Sequence, residues 1–137
     1  MAKAIQESKG KYVINNTAQI IPIFSVLTWL PDGTVAKGNA ATISTSSFAG
    51  INLGAIDPQS YGFAVKTGNV KNAIAGLGAV AGQYVYMDII SGQLTLTPPI
   101  SPPNGVYKIG KAEPTDNSSS LITDIFLEFE VIIEPEL

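Results

Sequence analysis

The stretch Gly82-Gln83-Tyr84-Val85-Tyr86-Met87-Asp88 decides the fold class, together with Ser91-Gly92, Leu94-Thr95-Leu96 and, past a double-proline loop, Val106-Tyr107-Lys108-Ile109-Gly110-Lys111-Ala112. Val85, Met87 and Ile89 fall on one parity and Tyr84, Tyr86 and Asp88 on the other, which is the period of a strand. Ser91-Gly92 between two such runs reads as a hairpin turn. The loop Pro98-Pro99-Ile100-Ser101-Pro102-Pro103 lacks a backbone donor at four of six positions, so it is expected to run exposed and extended. Hairpin, loop and return strand make a scaffold. Nothing in it has the look of a nucleophile, a phosphate loop or a metal cage.

Toward the far end, Leu121, Ile125, Leu127, Phe129, Val131 and Ile133 share one parity, with Asp124, Glu128 and Glu130 on the other. Period two over thirteen residues fits a strand and not a helix. In the other direction, residues 11–16 read as a short strand. Residues 19–30 are apolar on both parities, with Ile21, Ile23, Leu27 and Trp29 against Ile20, Phe24, Val26 and Leu30. That pattern predicts a strand pair or a bent strand buried on both faces. Leu30-Pro31-Asp32-Gly33 closes it as a turn. Residues 34–37, 40–46, 48–56 and 61–68 read as further short strands, with a turn at Asp57-Pro58-Gln59-Ser60. The alanine-rich run 73–81 contains two glycines, each costing a helix about 1 kcal/mol, and reads as an irregular loop. Gly50 and Gly110 occupy similar places in two strands and mark corners where a small barrel bends. The expected fold is all-β: a small β-barrel or β-tulip-like domain of short antiparallel strands. Residues 1–10 form an extended N-terminal arm, and residues 11–137 form a single β domain.

Composition narrows the function. The chain has 137 residues, 45% hydrophobic and 14% charged, against a usual charged share of about 25%. This predicts a folded domain, with some apolar surface covered by other chains. There is no His, Cys or Arg. The commonest general base, the thiol nucleophile and thiolate or imidazole zinc sites are thereby excluded. So is the bidentate fork for phosphate or guanine. A net charge of −3 repels nucleic acid, so no nucleic-acid partner is expected. No apolar run approaches the roughly 20 residues of a membrane helix, and no secretory leader is visible. The expectation is a soluble protein made in a cytoplasm, with no membrane partner and no cofactor.

Charge is unevenly spread. Three lysines lie in the first eleven residues, and no lysine follows Lys111, whereas Glu113, Asp116, Asp124, Glu128, Glu130, Glu134 and Glu136 do. Exposed ion pairs contribute little, so the plainer reading is two solvated ends; the other is a basic arm meeting an acidic tail, within or between subunits.

Glu128 and Glu130 stand roughly 7 Å apart along their strand, within the carboxylate separation of inverting glycosidases. Glu134 lies on the same parity, and an outer, solvated face accounts for all three. Asp116-Asn117-Ser118-Ser119-Ser120 lacks the spacing of a calcium loop. Gly76, Gly78 and Gly82 lack the strand–loop–helix setting of a dinucleotide site. Trp29, Tyr61, Tyr84, Tyr86 and Tyr107 read as core or interface anchors ahead of a sugar-stacking platform. No catalytic residue is expected.

Residues 78–112 resemble the small phage virion proteins called decoration, cement or head-stabilising proteins. The likeness rests on the lead-in Ala75-Gly76-Leu77-Gly78-Ala79-Val80-Ala81-Gly82, on Val85-Tyr86-Met87-Asp88, on Gly92-Gln93-Leu94-Thr95 and on Ile109-Gly110-Lys111-Ala112. Phe48-Ala49-Gly50-Ile51 and the strand 62–68 resemble that family's first half. The resemblance implies a structural virion protein on the outer surface of a phage capsid, binding the major capsid protein and itself, as a homotrimer, without catalysis. On that reading Lys3, Ile5, Lys9 and Lys11 form a capsid-docking arm, and Trp29, Tyr84 and Tyr86 form subunit contacts. Similar modules in tail and head fibres offer the alternative of binding a host glycan or receptor.

Overall fold

A computed structural model of the chain describes residues 9–41, 48–101, 104–114 and 122–133. These form nine strands and, among the described residues, no helix: β1 (Lys9–Asn15), β2 (Val26–Trp29), β3 (Val35–Lys37), β4 (Phe48–Asn52), β5 (Ser60–Val70), β6 (Tyr84–Met87), β7 (Leu94–Thr95), β8 (Val106–Ala112) and β9 (Ile125–Ile133). The all-β expectation holds, and the first five strands close into a barrel in the order β1-β3-β2-β4-β5, with β5 returning to β1. Every pairing is antiparallel except β1 with β3, which run parallel at Asn15 and Val35. Closure leaves these strands without a free edge where they pair.

The other four strands extend from the end of β5 in the order β5-β9-β8-β6-β7. Residues 60–67 of β5 pair with β1, and Gly68-Asn69-Val70 pair with β9. Gly68 has φ 94°, so the handover from barrel to second sheet falls on a residue that tolerates it.

Two hydrophobic cores result. The barrel interior holds Val13, Ile21, Leu27, Val35, Ala49, Ile56 and Ala64, with Trp29 packed against it. The second core lies between barrel wall and second sheet and includes Val26, Phe48, Ile51, Val65, Met87, Tyr107, Ile109 and Leu127. Strands β2, β4 and β5 alternate between the cores: Leu27 inward and Val26 outward, Ala49 inward and Phe48 outward, Ala64 inward and Val65 outward. This is the physical reason Val26 and Leu27 are both apolar; Ile20 and Ile23, expected to be buried, are instead 49% and 47% exposed in the segment before β2. Only part of the 19–30 stretch is strand; Ile21 makes an isolated bridge to Ile56, and the loop over 22–25 separates it from β2. Each fully buried Leu or Ile contributes about 2 kcal/mol of transfer free energy.

The punctuation falls where the residues ask for it. Gly33, at φ 87°, donates its N–H to the Leu30 carbonyl at 2.9 Å, closing the β2–β3 turn. Gly50 and Gly110 both sit at irregular pairings, and a Cβ at either would strike a partner strand's carbonyl, that of Val65 or of Phe126. Residues 71–77 form successive turns, as the glycines of that run predict. Lys9 and Gly10, placed in the arm by sequence reading, already belong to β1, opposite Thr67 and Val65. In the strand expected over 40–46, Ala40 and Ala41 begin a turn and residues 42–46 lie outside the described residues. So do Lys3, Ile5, Leu121, the segment 116–120 and the prolines at 102 and 103.

Candidate binding surfaces

Four surfaces carry side chains that the fold leaves unexplained. The first is the outer barrel face across β1 and β5. Tyr12 and Phe63 are register partners and meet edge to face, with ring centroids 5.3 Å apart and planes at 70°. Tyr12 is 74% exposed, and Tyr61, opposite Ile14 one step along, is 73% exposed. Leu53, exposed beyond the end of β4, donates its N–H to the Phe63 carbonyl at 3.0 Å. Gly10 keeps this face tight, since a Cβ there would collide with the Phe63 ring and the Ala64 carbonyl. A soluble surface seldom gathers aromatic and aliphatic residues like this unless they contact something.

The second is one mouth of the barrel, a cavity of roughly 200 Å³ lined by Gly10, Lys11, Trp29, Ala49, Ala64 and Lys66. The Lys11 ammonium lies over the Trp29 ring, 5.1 Å from its centroid. Sequence reading assigned Lys11 to a docking arm and Trp29 to a subunit contact; the fold brings them together.

The third is the outward face of the second sheet. Lys108 Nζ lies 3.5 Å from Glu128 Oε1 and 3.2 Å from Glu130 Oε1, and 4.8 Å over the Tyr84 ring. Only 10% of the Lys108 side chain is exposed, while both glutamates stand in solvent. Burial lowers the Lys108 pKa, but the hydrogen bond it donates to Glu130 and the charges of Glu128 and Glu130 outweigh it. The net shift is upward from 10.5. Glu128 and Glu130 thus share one cation. Tyr84 is half exposed and Tyr86 more covered, both on this face; Tyr107 is buried in the second core. The five aromatics of a sugar platform therefore do not form one surface: Trp29 is at the mouth, Tyr61 on the barrel flank and Tyr107 inside.

The fourth is a groove of roughly 610 Å³ between the barrel and the β6–β7 hairpin, lined among others by Phe24, Ser25, Lys37, Asn72, Gln93 and Leu77. Phe24 and Asn72 both hold left-handed backbone, φ 63° and 66°. For a bulky Phe this costs about 1–2 kcal/mol and requires its surroundings to enforce it. Asn52 supplies the enforcement. Fully buried, it accepts the Ser25 N–H through Oδ1 at 2.8 Å and donates Nδ2 to the Pro22 and Gly54 carbonyls, each at 2.8 Å. Asn15, also fully buried, ties the same two loops at the same end of the barrel. Its Nδ2 donates to the carbonyls of Gln19, Ile56 and Asp57, and its Oδ1 accepts from Thr17. Sequence reading passed over both asparagines. The signal was their place at the ends of apolar strands, where a loop must be tied down.

Among the described residues, no group of three or more His, Cys, Asp or Glu side chains is placed to hold a metal ion. No protein-family model matches the chain, and no curated protein matches it.

Proposed function

We propose that this chain is a structural virion protein of the decoration or cement type, binding the outer surface of a phage capsid through the major capsid protein and through other copies of itself as a homotrimer. The observation that carries the reading is the exposed Tyr12–Phe63 pair with Tyr61 and Leu53 on a rigid, closed barrel. Aromatic anchors on a preorganised scaffold are what a protein interface requires. The resemblance of residues 78–112 to decoration proteins supplies the identity of the partner. Repeated over many symmetric sites, modest contacts sum to strong retention by avidity. Localisation on the outer capsid surface follows from the same reading. Mixing the purified chain with undecorated heads and imaging the product tests it: regular occupancy supports the reading, and bare or randomly coated heads sink it.

A fibre module that binds a host-surface glycan is the second reading, favoured by the polar and aromatic groove at Phe24, Asn72 and Gln93. A glycan array that gives a hit abolished by Gln93→Ala would favour it over the first.

A further inference from the structure

We propose that the groove between the barrel and the β6–β7 hairpin is a preformed site for an acidic saccharide, a sugar unit that carries a single negative charge. The inference rests on the second reading above, that this groove takes a glycan, and names the class of glycan. The walls come from three segments, and each is locked from behind. The buried Asn52 holds the loop over 22–25, through the Ser25 N–H and the Pro22 carbonyl, at 2.8 Å each. The buried Asp124 accepts the Asn72 N–H on Oδ1 at 2.8 Å. Gly92, in the hairpin turn, accepts the Val26 N–H at 3.0 Å and donates to the Gly38 carbonyl at 2.8 Å. Of the three non-glycine residues with left-handed backbone among the described residues, two, Phe24 and Asn72, line this groove. Strain of that kind concentrates at ligand clamps, where a rigid wall spares the ligand the cost of ordering it. The volume of roughly 610 Å³ lies within the range of small-ligand sites, about 300–1,000 Å³.

The lining selects the ligand. Phe24, Leu77 and Leu94 are half-buried against the second core and offer apolar surface to the C–H face of a sugar ring. Asn72 and Gln93 stand exposed on the same groove with side-chain amides that both donate and accept, as sugar hydroxyls do. Lys37 is the one charged residue of the lining among the described residues. None of their carboxylates forms an ion pair with it. A glycine sets its position: a Cβ at Gly92 would come within 2.9 Å of Lys37 Cδ, so the aliphatic stem lies along the bare hairpin turn. One positioned cation among neutral donors and acceptors matches a single negative charge on an otherwise hydroxylated ligand.

A glycan array tests this, carrying uronic-acid and sialic-acid glycans, sulfated glycans, and the methyl-ester or desulfated form of each. The expected result is that a charged glycan binds about tenfold more tightly than its neutral form, with the advantage lost at high salt. The strongest array hit and its neutral form are then titrated into Lys37→Met, which keeps the stem and removes the charge. That variant should bind the two forms alike, while Lys66→Met, at the barrel mouth, should keep the wild-type preference. Thermal melts check that both variants fold. Equal wild-type affinity for charged and neutral forms overturns the proposal, as does a charge preference that Lys37→Met leaves intact. Binding that is nevertheless lost in Gln93→Ala would keep the glycan reading of the groove standing after either result. An array without a hit overturns that reading and this inference together, and leaves the capsid reading to the assay on undecorated heads.

Discussion

Asn52 holds Ser25 by a hydrogen bond from the Ser25 N–H to its Oδ1 at 2.8 Å, 27 residues away in sequence and wholly out of water. With the Asn52 Nδ2 bonds to the Pro22 and Gly54 carbonyls, this one amide fixes both loops at that end of the barrel and keeps Phe24 in its left-handed conformation. A buried polar group in a low-dielectric interior is valuable when satisfied and costly to the partners it leaves behind.

Asn52→Ala should therefore destabilise the chain by about 3 kcal/mol, the cost of stranding the Ser25 N–H and the Gly54 carbonyl, while the Pro22 carbonyl keeps its bond from the Ser25 hydroxyl. Urea unfolding should show a lower midpoint at unchanged slope. A loss below about 1 kcal/mol would mean that water takes over those bonds.

Gly110→Ala and Gly33→Ala should separate two reasons for glycine. At Gly110 an added Cβ meets the Phe126 carbonyl of the paired strand, so β8 and β9 must move apart, at a cost of about 2–3 kcal/mol. At Gly33 the space is open and only the φ of 87° is unfavourable, costing about 1 kcal/mol. Thermal melts of the two variants give the ranking, and a larger loss at Gly33 would contradict it.

Lys108 should impose an alkaline limit on stability. Its folded pKa lies above the ordinary 10.5, so its contribution is complete below pH 10.5 and fades as pH rises through the folded value. The contribution is about 1 kcal/mol, because both partners are exposed. Urea unfolding on either side of pH 10.5 should show a shallower decline for Lys108→Met than for the wild type; equal slopes would refute the assignment.

Tyr12→Ser with Phe63→Ser should cost stability little, about 1 kcal/mol, since the pair is edge-to-face and largely in solvent. Binding to undecorated heads should fall by about tenfold or more if this face is the contact. Retained binding would shift the contact to another surface.

The local grammar was legible. The described residues of 82–112 formed hairpin and return strand as their alternation predicts, and the 73–81 run stayed irregular because its glycines outweigh its alanines. Gly50 and Gly110 marked real irregularities in the sheet. The pairing partners were not legible. Alternation says which residues share a face but is silent on which strand lies alongside. Lys11 beside Trp29, Glu128 and Glu130 around Lys108, and Asn52 under Ser25 all join residues distant in sequence.

By itself the sequence determined that the chain is built of strands and is poor in catalytic groups, because backbone periodicity and side-chain chemistry are local properties. Only the tertiary structure decided that five of those strands close on themselves, that β2, β4 and β5 serve two cores at once, and that lysines gather around the barrel's tryptophan. Closure depends on shear, on one parallel pairing and on where a glycine lets β5 change partners. Those are relations between segments, and they come into being only when the chain packs.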